Sequence, residues 1–296
     1  MRLLRSLPLA AALVLLVACD ARSGDPDTVA GDASAPAAPS STADTDVVKA
    51  NDSNNDLSKI PPPRPDSVLY LISDVDGNGA LSYETANGSY INYWYGLQYE
   101  SLGKQHYTGF AWSTPARYGA DEEENYPDPG TKVVLSHASF VATGDPEKPW
   151  KWEGSEPYIG EFGGNERGNE VDTSRQHQLW RAPDGDALLA VPTTYFVSGT
   201  TMRTIEILHF HAKLPLGIDD KRWRYLGTLE VGSENDASCG PEVNPRIACT
   251  DVTGKLEFVE QPAGAFPVLS VTFPEGSGEK SQQYRYDPQT KTYRPT

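Results

Sequence analysis

The sequence runs to 296 residues with a formal net charge of −16; 22% of residues are charged and 38% hydrophobic. So acidic a chain repels phosphate backbones, which excludes nucleic acid as a natural partner and favours basic proteins or cations. The plainer reading of part of that charge is solubility alone. Three cysteines are present, an odd number that leaves one without a disulfide partner.

The chain opens with Arg2 and Arg5 and then runs almost without a polar break from Leu7 to Ala18. This charged-then-apolar layout is that of a secretory signal. The apolar run falls well short of the roughly 20 residues that span a bilayer, so residues 1–18 are expected to be cleaved. Leu16-Val17-Ala18-Cys19 resembles the lipobox of bacterial lipoproteins, in which a diacylglycerol is attached to the cysteine sulfur before the signal is removed. The resemblance implies lipidation of Cys19 and stable anchoring, since more than one acyl chain is carried. It also implies a place in the bacterial cell envelope, facing the periplasm. Asp20 resembles an inner-membrane retention signal of enteric bacteria, and the choice of membrane stays open. Cleavage removes Arg2 and Arg5 and no acid, which takes the charge from −16 to −18. With Cys19 acylated, Cys239 and Cys249 are left as a pair, and an oxidising compartment favours their disulfide.

Residues 19–65 are rich in Ala, Ser, Asp, Thr, Asn and Pro and show no helical or strand period. They are expected to be a disordered tether that ends in the stiff run Ile60-Pro61-Pro62-Pro63-Arg64-Pro65. Residues 66–296 are expected to form one β-rich globular domain.

The first motif of that domain is Asp74-Val75-Asp76-Gly77-Asn78-Gly79. It resembles the first half of an EF-hand calcium loop, where oxygens at alternate positions converge once a glycine allows the sharp turn. The resemblance implies Asp74, Asp76, Asn78, Ala80, Ser82 and Glu84 as the calcium ligands. Thr85 stands where the loop has its bidentate acid, and Glu84 comes one place early. The alternative is a plain turn made by Asp-Gly and Asn-Gly.

Short runs rich in Val, Ile, Thr, Tyr and Phe, bounded by Gly, Pro, Asn and Asp, predict strands. They are Val68–Ser73, Tyr90–Tyr95, Val133–Val141, Ala187–Val197, Thr201–Ala212, Trp223–Val231, Leu256–Gln261, Val268–Phe273, Gln283–Tyr286 and Thr292–Arg294. Pro183-Asp184-Gly185-Asp186 and Asp287-Pro288-Gln289 read as tight hairpin turns. The fold class is therefore all-β: an antiparallel two-sheet sandwich or a partly closed barrel, with a small propeller as the alternative.

Four further segments carry candidate chemistry. Asp121, Glu122, Glu123 and Glu124 form an acidic run, either a solvated loop or a docking patch for a basic partner. Residues 149–180 are dense in Trp, Tyr, Asp and Glu, among them Glu161 and Glu166. Such a composition suits a glycan cleft with two carboxylates or a long loop packed by its own tryptophans. His209 and His211 are two apart on a predicted strand, so both imidazoles share one face, as transition-metal sites on strands require. The sequence shows no third ligand near them, and satisfied or surface histidines are the plainer reading. The segment between Cys239 and Cys249 is either a stapled surface loop or a rigid recognition loop presenting Val243 to Ile247.

There is no Gly-x-Ser-x-Gly elbow, His-Glu-x-x-His pair, Cys-x-x-Cys or phosphate-cradling glycine loop, so nothing in the sequence demands an enzyme. The lipobox at Cys19 and the Asp74, Asp76, Asn78 and Gly79 loop together resemble the lipoprotein immunity proteins that block cell-wall-degrading toxins delivered by type IV secretion. That resemblance implies a non-catalytic binding lipoprotein with a basic cell-wall hydrolase as partner. The alternative is a glycan-binding or glycan-hydrolysing lipoprotein that uses residues 149–180.

Overall fold

The computed structural model divides the chain into two units, residues 1–53 and Asn54–Thr296. The described residues all belong to the second: 60–115, 129–213, 217, 220–240, 242–244, 246–262 and 266–296. They form three antiparallel sheets and one α-helix, an all-β fold of the stacked and partly closed kind.

Helix α1 covers Pro65–Ser73, where the composition of Val68–Ser73 predicts a strand. Pro65 at the first helical position and Asp66 in the first turn are helix-start signals. A five-residue apolar run cannot by itself separate helix from strand. Val68 and Leu69 are buried against the outer face of the first sheet. Contact is close because Gly109 lies beneath Val68; a Cβ there would stand 2.5 Å from a Val68 methyl.

The first sheet is a meander of β1 (Ser82–Glu84), β2 (Tyr90–Ser101), β3 (Lys104–Ser113), β4 (Val133–Ala142) and β5 (Trp150–Phe162), ordered as in the chain. The second contains β6 (Glu170–Val171), β7 (Gln178–Arg181), β8 (Ala187–Val197), β9 (Thr200–Phe210), β10 (Trp223–Glu234) and β11 (Asp251–Thr253). Its order is β11-β10-β9-β8-β6, with β7 also pairing β8. The third is the meander β12 (Lys255–Val259), β13 (Val268–Thr272), β14 (Gln282–Asp287) and β15 (Thr292–Pro295).

The second sheet is the middle layer, and the parity of its strands shows why. Leu189, Val191, Leu208 and Phe210 pack with Trp94, Phe110 and Leu135 of the first sheet. The intervening Leu188, Ala190, Ile205 and Ile207 pack with Leu256, Leu269 and Val271 of the third. A strand covered on both faces reads as an unbroken apolar run, and Ala187–Val191 is buried at every position. β5 also lies against β10, and β2 against β6. The first two sheets therefore meet near their edges as well as across their faces. Bulges between β2 and β3, β4 and β5, and β9 and β10 increase the local twist.

Candidate functional site

The loop after α1 follows from the helix it ends. Asp74 caps the helix in the left-handed region at φ 56° and donates its N–H to the Tyr70 carbonyl at 2.8 Å. Asp76 Oδ1 accepts the N–H of Asn78 at 2.8 Å, and Asn78 and Gly79 both take positive φ. The Tyr83 hydroxyl donates to the Val75 carbonyl at 2.9 Å and closes the loop from below. Asp74, Asp76, Asn78 and Ala80 thus share one tight turn between a helix and a strand. Ser82 and Glu84 lie on β1, and the Ser82 hydroxyl already donates to Asn92 Oδ1 at 2.6 Å. Cys19 and the acidic run Asp121 to Glu124 lie outside the described residues.

Residues 149–180 are mostly strand rather than a long loop, forming β5, β6 and β7. Several of their acids hold the frame together. Glu153 meets His106 at 3.2 Å, and Asp172 pairs with Arg175 at 2.6 Å. Glu156 meets His137 at 2.9 Å and accepts the Arg222 N–H at 2.7 Å. His137 Nδ1 in turn lies 3.1 Å from Ser139 Oγ. That acid, imidazole and hydroxyl chain has the order of a hydrolase triad, yet Ser139 is only 2% exposed. Burial holds the His137 pKa below its ordinary value against the pull of Glu156, and the chain ties the core strands to one another. Glu166 and Glu170 line a different feature, a surface hollow of ≈ 540 Å³ that they share with Tyr90, Trp112 and Asn169. Glu161 stands apart, on β5 opposite Val134.

Behind that hollow lies Glu206, wholly buried between the first two sheets. Its oxygens accept from Asn169 Nδ2 at 2.7 Å, Thr193 Oγ1 at 3.0 Å, Tyr225 OH at 2.6 Å and Thr228 Oγ1 at 2.8 Å. Burial raises its pKa despite these four bonds. Nothing in the amphipathic pattern of β9 marks a carboxylate for the interior.

Cys239 and Cys249 form a disulfide, with Cα atoms 5.1 Å apart. The loop they close leaves Val243 62% and Ile247 39% exposed. Asn235 fixes its base by donating to the Ala248 carbonyl at 3.1 Å and accepting the Thr250 N–H at 2.7 Å. The start of β9 pairs with the end of β10, which brings the β8–β9 turn to the same end of the sheet. A Cβ on Gly199 in that turn would lie 2.8 Å from Ser238. The last two residues of β8 before that turn are Phe196, 63% exposed, and Val197, 47% exposed. The end of the β8–β9 hairpin and the disulfide-closed loop thus both carry exposed apolar side chains, with Phe196 and Val197 on opposite faces of β8, and Asp236 and Glu242 are exposed in the segment that holds the loop.

At the other end of the β8–β9 hairpin, Ala187 pairs with Phe210, so Asp186 comes opposite His211. Asp186 Oδ2 lies 3.1 Å from His209 Nε2 and 3.2 Å from His211 Nδ1, and Oδ1 accepts the Ala212 N–H at 2.8 Å. Burial holds the His209 pKa low; at Asp186 burial pushes the pKa up, but the bonds from both histidines and the Ala212 N–H outweigh it and hold the carboxyl far below the ordinary range. His209 and His211 share a face, as their spacing predicts. Asp186 is the partner that sequence reasoning missed, hidden in a segment read only as a turn. The register of β8 against β9 is the signal that finds it.

Comparison with protein-family models, with curated proteins and with solved structures finds no match to this chain.

Proposed function

We propose that this chain is a lipid-anchored binding protein of the bacterial envelope. Cys19 carries the anchor, and the β-domain faces the periplasm and engages a basic protein, in the sharpest form a cell-wall hydrolase that it inhibits. The observation that carries the reading is a set of exposed apolar side chains at one end of the second sheet, Phe196 and Val197 closing β8 and Val243 and Ile247 in the disulfide-closed loop. Rigid apolar anchors ringed by charge are how protein interfaces concentrate their energy. Exposed acids in the same segment and the net charge of −18 left after cleavage attract a basic partner. Within residues 149–180, Glu153, Glu156 and Asp172 are occupied in structural pairs, which leaves fewer acids for hydrolysis. The test is capture of peptidoglycan hydrolases from secreted fractions by the full chain in detergent, with wall-degrading activity measured on the captured enzyme. A stoichiometric complex in which that activity is lost supports the reading; capture with full activity, or none, removes it.

The hollow beside Trp112 favours a second reading, a glycan-binding envelope protein. Tyr90 and Trp112 would supply stacking surfaces there and Glu166 and Glu170 the hydrogen-bonding acids. Retention of soluble peptidoglycan fragments that is lost in Trp112→Ala would establish it.

We assign calcium to the Asp74 loop as a structural ion, with Asp74, Asp76 and Asn78 supplying side-chain oxygens and Ala80 its carbonyl. Glu84 does not bring its carboxylate into a cluster with those of Asp74 and Asp76, and the Ser82 hydroxyl is engaged by Asn92, so water completes that side of the shell. Calcium should raise the melting temperature of the full chain, and Asp76→Asn should abolish the rise; equal melting with calcium and with chelator would withdraw the assignment.

A further inference from the structure

We propose that Asp186, His209 and His211 bind a divalent transition-metal ion of the zinc class, through Asp186 Oδ2, His209 Nε2 and His211 Nδ1, with the remaining positions open to water or a ligand. The site lies at the opposite end of the β8–β9 hairpin from the apolar surface and stands independently of the partner-binding reading.

Three arguments converge on the site. The donor set is the first. Two imidazoles and one carboxylate suit zinc and its first-row neighbours, whereas calcium and magnesium take oxygen shells. Spacing is the second. Bonds of about 2.0–2.2 Å to one ion put neighbouring donor atoms about 3.0 Å apart at right angles and about 3.4 Å apart at tetrahedral angles. The two carboxylate-to-imidazole separations, 3.1 and 3.2 Å, fall between those limits, and all three donor atoms lie within 4.8 Å of one another. A turn of the His211 ring closes the last gap, and that side chain is 44% exposed and has the room.

Support is the third argument. Asp186 spends Oδ1 on the Ala212 N–H, which aims Oδ2 at the histidines, as outer bonds orient ligands in metal sites. His209 is held by strand pairing to Leu188 and Arg224 and by the edge of Phe266, whose centroid lies 4.8 Å from the imidazole. Two of the three donors are therefore fixed before any ion arrives. Among the described residues Asp236, Cys239 and Cys249 also bring their donor atoms within 4.8 Å of one another. The two sulfurs are joined in the disulfide and cannot act as thiolates.

The test is calorimetric titration of zinc chloride into the metal-stripped full chain in detergent at neutral pH, paired with the visible spectrum of the cobalt-loaded form. We expect one zinc ion per chain with a dissociation constant of about 1 µM or tighter, and cobalt bands typical of nitrogen and oxygen ligands. His211→Ala and Asp186→Asn should each weaken zinc at least about tenfold. The melting temperature of metal-free His211→Ala should stay near that of the parent chain, because the side chain is 44% exposed and Asp186 keeps its bonds to His209 and Ala212. Absence of saturable zinc up to about 100 µM, or zinc binding unchanged in both variants, would overturn the proposal and leave the three residues a hydrogen-bonded cluster.

Discussion

Replacing Glu206 separates a buried charge that the fold requires from one it merely tolerates. Four neutral groups donate to this carboxylate, and none of them carries a charge. In Glu206→Gln the amide oxygen can keep the bonds from Asn169 and Thr193. The amide nitrogen then faces Tyr225 and Thr228, whose hydroxyls can turn to accept. The variant should lie within about 1 kcal/mol of the parent. Glu206→Ala is different. Thr193 retains Thr204 at 2.7 Å and Tyr225 retains Thr228 at 2.7 Å, but the Asn169 amide is stranded, at about 1–3 kcal/mol. The emptied volume adds about 1 kcal/mol more, for a total of roughly 3 kcal/mol. The pH dependence gives a second reading. Because burial raises the Glu206 pKa above its unfolded value, its contribution is full below about pH 4.5 and is lost as pH rises through the folded pKa. Glu206→Gln lacks that loss, so its stability relative to the parent should improve from acid to neutral pH. Urea denaturation of the parent and both variants across that range is the assay. An Ala variant within about 0.5 kcal/mol of the parent, or a Gln variant as damaged as the Ala variant, would refute the reasoning.

Three further outcomes follow from the same packing. Burial depresses the His137 pKa below its unfolded value of about 6.5, so its contribution is present above that pH and is lost on acidification. The urea midpoint should fall between about pH 8 and pH 5, and less steeply in His137→Gln; parallel curves would exclude the histidine as the cause. Cys249→Ser opens a loop with a sequence separation of 10 and should cost roughly 3 kcal/mol while weakening partner capture, both read on one preparation by thermal melting and pull-down. Leu189→Ala, at a wholly buried position between the first two sheets, should cost about 2–5 kcal/mol, against little for the exposed Leu102→Ala, measured by urea denaturation.

The fold class was legible wherever a strand advertised itself through burial. Ala187–Val197, Thr201–Ala212 and Val268–Phe273 are apolar enough to read as strands, and β8, β9 and β13 run over them, β9 ending at Phe210 and β13 at Thr272. The Asp184-Gly185 and Pro288-Gln289 turns form the hairpins their residues suggest. β5 was not legible, because Gly154, Pro157 and Gly160 interrupt it. As the edge of its sheet, bulged twice against β4, it accommodates residues that a central strand excludes. Layer number was equally hidden. A strand buried on one face or both differs only in continuity of apolar residues, and the third sheet shows itself once Leu188 and Leu189 are seen to face opposite ways. Of the candidate sites, the Cys239–Cys249 pair follows from counting cysteines once Cys19 is set aside, and the shared face of His209 and His211 follows from their spacing. Asp186 and Glu206 depend on strand register, which short-range sequence patterns do not encode.

On the proposed function, the disulfide-braced end binds a basic protein partner. The most direct test is the dissociation constant of the full chain for a captured peptidoglycan hydrolase, compared with that of the double variant Phe196→Asp, Val243→Asp. If this end is the interface, binding weakens by at least about tenfold to a hundredfold while the melting temperature is kept, and parent association slows as salt rises. Equal affinity of the folded double variant and the parent would contradict the claim and move the interface elsewhere on the molecule.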